Sequence, residues 1–389
     1  MNIGMIVNNL EVSGGYQKLV IRLSQELQKT GHKVTVYSPK VDRKQCYPKD
    51  IKTLNIVTLS PEQAEGTPAV VYQHLILKMD DQLDALIIHD ELSLVGVALL
   101  SNKPKKIIWM LNNQLPEDIG LYAKEAQSVY RQTVGPLKTR LKETKKAVNR
   151  VGLIRQGLRA VTDFVTYDEF NKQLVRQKLK RSATVVSAGA DLDSFKKYAK
   201  ERTFGKKRTY MLLSVGVLFP HRRYEDLIQA IPYLKAKGVS VKVVIVGRQT
   251  LAPEYYGRLV DLTKKHAVTK EVEFKDFVTD EAMVKLYKNS DAFVFINDGF
   301  TWGISVFEAV AARLPVIITD NIGAADLVKN NESGWIVKPR SPQQVAEAVS
   351  DIILHRDKSK EIANRAYDEL TPFVSWQAYM KRMLAVLEK

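Results

Sequence analysis

The sequence predicts two α/β domains in series, each a parallel sheet covered by helices. Three observations predict it. Short β-rich apolar runs alternate with helical patterns from the first residues, the alternation stops in a polar, charged stretch at 191–208 (DLDSFKKYAKERTFGKKR), and it restarts at once. A chain of 389 residues, 45% hydrophobic, has apolar material for two cores.

The first half reads, in order, as a strand in IGMIVNN, a helix over 18–29, strands in KVTVYSP and LNIVTL, a helix over 70–79, and a strand in ALIIH. A further strand, KIIWML, precedes a long basic helical stretch from about 121 to 158, and the short strands VTDFVTY and TVVSAG close the half. The second half opens with YMLLSVG, a helix over 224–237, VKVVIVG, a helix over 253–266 and EVEFKDFV. A helix over 281–288, AFVFIN, a helix over 305–313, PVIITD, a short helix near 324–329 and GWIVKP follow. Ligands of such sheets bind at the carboxyl ends of the strands, so a crevice between the two domains is the expected site.

Composition excludes several classes. One cysteine, Cys46, rules out a disulfide framework and any multi-thiolate metal site, and favours a reducing cytoplasm. His32, His74, His89, His221, His266 and His355 are scattered, with no metal-ligand spacing among them. No apolar stretch reaches the length of a spanning helix, and the N-terminus MNIGMIVNN lacks the pattern of a secretory signal, so the expectation is a protein that is neither exported nor membrane-spanning. The formal charge of +16 is concentrated: residues 101–180 carry 17 basic and 7 acidic side chains.

Residues 295–328, FINDGFTWGISVFEAVAARLPVIITDNIGAADLV, carry the most chemistry. An apolar strand runs into the irregular loop 297–303, and a helix opens at Ile304 or Ser305. A helix N-terminus presents unpaired N–H groups and a positive dipole end, so a diphosphate fits there without a metal. Gly303 lets the backbone approach such a ligand closely. Glu308, one turn in, is placed to accept hydrogen bonds from ribose hydroxyls; a glutamate that merely complements the dipole is the competing reading.

WGISVFEAVAARLPVI resembles the FG-x-x-x-x-EA-x-A-x-G-x-PVI signature of family 4 retaining glycosyltransferases, among the group 1 glycosyl transferases, which have the GT-B fold and take nucleotide sugars. Other segments agree in order. VSGGYQKLVIRLSQELQKTGHKVTVYSP is similar to the family's opening, with Gly14 and Gly15 at its glycine pair; an ordinary tight turn is the alternative there. ALIIHDELSL resembles the strand ending in a histidine, SAGADLDSF the NGVD-x-x-x-F linker, LLSVGVLFPHRRYEDLIQAI the SVGRL-x-x-x-K-x-x-x-x-LI segment, and FVSWQAYMKRML the terminal helix. The resemblance implies an acceptor-binding Rossmann-like domain over 1–190, a nucleotide-sugar-binding one over 205–370 facing it across a cleft, and a terminal helix over 371–389 crossing back to the first domain. It also implies a hexosyltransferase that moves a sugar, with retention, from a nucleoside-diphosphate sugar to a glycan or lipid-linked acceptor, without metal or other cofactor.

The catalytic residues implied are Arg222 and Glu308, and the donor set adds Gly14, Gly15, Arg223, Gly247, Phe277, Asp298, Phe300, Gly303, Ile304 and Ser305. Acceptor contacts fall on His89, for which a hydrogen-bonding wall is the plainer reading, and on Asn112 and Asn113. Three positions depart from the pattern. Phe300 stands where relatives have a glutamate for the donor sugar, with Asp298 or the loop backbone as substitutes. The family's paired Arg and Lys fall on Val217 and Arg222, leaving a forked phosphate donor at Arg222 with Arg223 or His221 beside it. IIWMLNNQL has no histidine where many relatives have one; Asn112 and Asn113 lie nearest. A degenerate member that binds nucleotide sugar or a polyanionic surface without turnover is the rival reading.

In the basic stretch, Arg131, Lys138, Arg140, Lys142, Lys145, Lys146, Arg150, Arg155 and Arg159 interleave with Val134, Leu137, Leu141, Val148, Val151, Leu153, Ile154 and Leu158. That suits a helix packing on one side and facing an anionic membrane on the other, with a solvated helix as the alternative. No nucleic-acid module accompanies the charge, so nucleic acid is not an expected partner. The expected location is the cytoplasm, peripheral on the inner face of the cell membrane.

Overall fold

Runs such as NIGMI, ALII and AFVF are apolar at successive positions, as strands covered by helices on both faces must be. The computed structural model describes residues 1–111, 137–197, 209–276, 278–299 and 301–389, and these strands lie at the centres of two all-parallel sheets. The chain divides into two units, Met1–Ser187 with Tyr379–Lys389, and Ala188–Ala378.

In the first unit, β1 (Asn2–Ile6), β2 (Lys33–Ser38), β3 (Asn55–Thr58), β4 (Ala85–Ile88), β5 (Lys106–Leu111), β6 (Asp163–Thr166) and β7 (Ala183–Val185) pair in the order β3-β2-β1-β4-β5-β6-β7. α1 (Gly15–Lys29) buries Leu19, Val20, Leu23 and Leu27, a helical stripe, and ends where Gly31 takes φ +88°. α2 (Pro68–Ile76) and α3 (Ser93–Leu99) follow. α3 has no polar stripe to give it away: SLVGVAL is buried over six of its seven residues, and the sequence reading passed over it. α4 (Leu137–Ala160) is the described part of the long basic helix; residues 121–136 of that expectation lie outside the described residues. Ala147, Val151 and Ile154 are buried, and a Cβ on Gly157 would collide with the Leu94 carbonyl, so glycine lets α4 lie directly on α3.

In the second unit, β8 (Tyr210–Val215), β9 (Val241–Val246), β10 (Val272–Lys275), β11 (Ala292–Phe295), β12 (Val316–Thr319) and β13 (Trp335–Val337) pair in the order β10-β9-β8-β11-β12-β13. The longer helices are α5 (Tyr224–Ala236), α6 (Pro253–Lys265), α7 (Asp280–Asn289), α8 (Ile304–Ala311), α9 (Pro342–Leu354) and α10 (Arg356–Phe373). α11 (Trp376–Leu387) begins in this unit and supplies Tyr379 onward to the first. The short helix expected near 324–329 is instead a 3₁₀ turn, Gly323–Asp326. It is held by the loop before α8: Gly323 N–H donates to Thr301 O at 2.8 Å and Ala324 N–H to Trp302 O at 3.0 Å, so its first donors are spent outside the turn.

Both sheets share one winding. Strand order reverses between β1 and β4 in the first unit and between β8 and β11 in the second, which puts the loops after those strands at the two switch points.

Candidate functional site

The second switch point carries Arg222. β8 and β11 pair in register at Leu212 with Ala292, and the loop after β8 closes in a 3₁₀ turn, Pro220–Arg222. The guanidinium lies over the Phe295 ring, 4.6 Å from its centroid, and its Nε and Nη1 are buried with no hydrogen-bond partner among the described residues. Burial lowers its pKa below the usual arginine range. A buried, forked cation without a carboxylate is costly in an empty site and is what a phosphate would satisfy. Tyr224, beneath the turn, is pushed up to about 12 by burial against the opposing pull of Arg222.

The same Phe295 ring reaches the start of α8. A Cβ on Gly303 would stand 3.5 Å from Phe295 Cε1, and Gly303 takes φ +87°, which only glycine adopts without strain. The first capped bond of α8 runs from Val306 N–H to Gly303 O, at 3.0 Å, so the N–H groups of Ile304 and Ser305 precede the helical ladder. Glu308 is half-buried and accepts from the Tyr287 hydroxyl at 3.1 Å; Tyr287 also donates to Ser305 O at 3.4 Å. Burial first, then Glu308, pushes the Tyr287 hydroxyl well above its usual range, so it stays a donor. Glu308 is therefore held by the protein as well as presented at the helix start.

Other expected donor residues are engaged differently. Arg223, in left-handed backbone at φ +43°, donates to the buried Asp226 at 2.6 Å. The Asp298 carboxylate accepts from Arg340 Nε at 2.7 Å, and the Asp298 N–H donates to His221 O at 2.7 Å. A Cβ on Gly247 would collide with the Gly216 carbonyl, so that glycine permits two strand ends to touch. Val217, at the missing cation's position, accepts from Phe219 N–H at 3.0 Å through its backbone. Phe277 and Phe300 lie outside the described residues.

At the first switch point Gly14 caps α1 with extended backbone, and Gly15 is that helix's first residue. His89 is buried, 2% exposed, and meets the Tyr16 ring edge-on at 6.4 Å. Asp90 next to it, which sequence reasoning missed, accepts from Asn8 N–H (2.7 Å), Tyr16 OH (3.0 Å), Ser93 N–H (2.9 Å) and Ser93 OH (3.0 Å). Burial nevertheless raises its pKa. Asn112 and Asn113 lie outside the described residues. Among the described residues no three His, Cys, Asp or Glu side chains converge as a metal-binding group, and no helix is long and apolar enough to cross a membrane.

A family profile described as "Glycosyl transferases group 1" matches residues 175–369, half of the chain and most of the second unit. The chain belongs to the group 1 glycosyl transferases. This group 1 chain is 30% identical over 176 residues to an uncharacterized glycosyltransferase of Methanocaldococcus jannaschii, covering 45% of this chain and 44% of the relative. It is 25% identical over 209 residues to a GDP-mannose-dependent alpha-(1-6)-phosphatidylinositol monomannoside mannosyltransferase of Mycobacterium tuberculosis, covering 50% and 53%. The alignments thus span about half the length of these relatives. Whole-chain likeness comes from solved structures: HepE of Anabaena in complex with UDP and glucose (TM-score 0.75, 15% identity, 100% of both chains) and a glycosyltransferase of Rickettsia africae (TM-score 0.71, 18%, 100% of this chain and 97% of that one). At such identities they establish the fold, GT-B, for this group 1 chain.

Proposed function

We propose that the chain is a retaining glycosyltransferase that moves a hexose-type sugar from a nucleoside-diphosphate sugar to a glycan or lipid-linked acceptor. The observation that carries the reading is Arg222, which lies over Phe295 beside the start of α8 with its buried Nε and Nη1 lacking a hydrogen-bond partner among the described residues. The second unit holds the donor: Arg222 and the N–H groups of Ile304 and Ser305 take the diphosphate, and Glu308 accepts from ribose hydroxyls. As the bond from the anomeric carbon to the diphosphate breaks, charge grows on the phosphate oxygen, where a fixed guanidinium and oriented amides stabilise the transition state more than the ground state. This division of work needs no metal. Asp298 is assigned to holding the loop rather than to touching sugar, and the first unit, with His89 at its switch point, is assigned to the acceptor.

The named relatives support this reading, one being named for GDP-mannose and one solved with UDP and glucose. Val217 and Phe300, in place of a cation and a glutamate, favour a second reading, a binder without turnover. A panel of UDP-, GDP- and ADP-sugars with acceptor glycans, read by thermal shift and nucleotide release, separates them. Shift with release supports the enzyme, shift without release the binder, and no shift with any donor overturns both.

We further propose that α4 rests on an anionic bilayer, which fits a lipid-linked acceptor and a cytoplasmic, peripheral location. With Ala147, Val151 and Ile154 turned inward, the opposite face exposes Leu141 (55%) and Val148 (52%), two helical turns apart, beside the exposed Lys145, Arg155 and Arg159. Each cation near such a surface adds about 1 kcal/mol before screening. Vesicle co-sedimentation that requires anionic lipid and falls with salt supports this; equal partition to neutral vesicles rejects it.

A further inference from the structure

Around Arg222 the charges are sorted in a way that the diphosphate reading does not by itself require. The turn 219–223 is flanked by two carboxylates, Asp226 from the first turn of α5 and Asp298 from the loop before α8. Both are spoken for. Asp226, fully buried, accepts from Arg223 Nη2 at 2.6 Å and from the Arg340 N–H at 2.7 Å. Asp298 accepts from Arg340 Nε at 2.7 Å and pairs with its Nη2, while its own N–H donates to His221 O at 2.7 Å.

Arg340 is therefore bound to one carboxylate by its backbone and to the other by its side chain, and the circuit closes through His221 and Arg223, the chain neighbours of Arg222. Arg223 (φ +43°) and Arg340 (φ +59°) both stand in left-handed backbone, which is strained for a non-glycine residue. Two strained arginines joined through one buried carboxylate are held by something beyond local preference. Arg222, between them in the circuit, has no carboxylate partner among the described residues.

We propose that Arg340 is a positioning residue of the donor site, which holds the Asp298 carboxylate away from Arg222 so that the Arg222 guanidinium stays open to an incoming diphosphate. Without Arg340, Asp298 stays tethered to His221 through its backbone, but its carboxylate loses its partner and is free to turn to the cations of the turn 219–223: Arg223, which already feels its charge, and Arg222 beside it. An internal anion then competes with the ligand.

The inference rests on the diphosphate reading of Arg222, and one set of titrations tells the two apart. UDP and GDP are titrated calorimetrically into the wild-type protein, Arg340→Ala, Arg340→Lys, Asp298→Asn and the double variant Arg340→Ala with Asp298→Asn, with melting temperatures checking each fold. Arg340→Ala is expected to weaken the better nucleotide about tenfold, the effect of one charged hydrogen-bonding contact. The double variant should return to within about twofold of wild type, because the freed carboxylate is gone, and Arg340→Lys should fall between. A structural role would not give this rescue, since the second substitution removes one more partner from the loop. If wild type binds neither nucleotide, the diphosphate reading and this inference fall together. If wild type binds and Arg340→Ala binds equally well, or the double variant binds worse than Arg340→Ala, the inference alone is overturned.

Discussion

Replacing Arg222 by Met should move stability and binding in opposite directions. In the ligand-free protein the guanidinium gains a contact over Phe295, at 4.6 Å, but keeps two buried nitrogens without partners among the described residues. The ring contact contributes about 1 kcal/mol, and each unsatisfied buried donor costs about 1 to 3 kcal/mol. Methionine keeps the length and sets a thioether against the same ring, recovering about 0.3 to 1.5 kcal/mol. At the low end of each range the sum favours the variant by about 1 kcal/mol, which raises the melting temperature by about 2 to 4 °C in a unit of this size. Binding loses one or two charge-assisted hydrogen bonds to phosphate at about 1.5 to 3 kcal/mol each, so nucleoside-diphosphate affinity should drop about tenfold or more. Differential scanning fluorimetry without ligand and calorimetry with UDP and GDP read the two effects separately. A variant that melts several degrees lower and binds as well as wild type would show Arg222 to be a structural side chain.

Glu308→Gln keeps an acceptor for the Tyr287 hydroxyl, so its melting temperature should hold while donor affinity drops by about 1 to 3 kcal/mol; unchanged affinity in the folded variant would remove Glu308 from the donor set. Turnover should survive a strong chelator, because the cationic work is assigned to Arg222 and a helix terminus, and loss with EDTA that Mg²⁺ or Mn²⁺ restores would refute this. The Asp80 carboxyl is held down to about 2 by the Gln82 N–H, the Asn2 amide and Lys33, so its stabilising effect is complete above the unfolded value of 3.8 and is lost as pH falls towards 2. The melting-temperature gap between wild type and Asp80→Asn should therefore shrink from pH 5 to pH 2.5, and a constant gap would contradict it.

The parts of the site legible in the sequence were those encoded by local spacing. A glycine before an apolar helix and a glutamate one turn in read directly as Gly303 and Glu308, because capping and helical periodicity act over a few residues. Arg222 was legible only through the family resemblance, as the position on which the lysine of the family's paired Arg and Lys falls. What was missed depends on the return of distant chain: Phe295 under Arg222, Arg340 reaching Asp298, and Asn8 reaching Asp90 each join residues more than forty apart, and no local pattern announces them. The Arg223 and Asp226 pair, three apart on one turn, was the exception that spacing alone would have exposed. In the same way α3 was hidden by being apolar all round, and the 3₁₀ turn Gly323–Asp326 by losing its first donors to a loop twenty residues upstream.

The two units share a strand order but differ in the sign of what they leave unsatisfied. At the first switch point a carboxylate is already in place: Asp90 takes backbone N–H groups from the loop after β1 and from the start of α3, together with the Tyr16 hydroxyl. Those are the donors that a phosphate would need there, and a second anion beside a buried carboxylate would meet repulsion in a medium that screens poorly. At the second switch point the carboxylates Asp226 and Asp298 are bound to arginines, and Arg222, with two buried nitrogens, is left without one among the described residues. Identical winding therefore does not make two equivalent nucleotide sites. The electrostatics support giving the diphosphate to the second unit and a neutral, hydroxyl-bearing acceptor to the first, because only a ligand without its own negative charge can approach Asp90 closely.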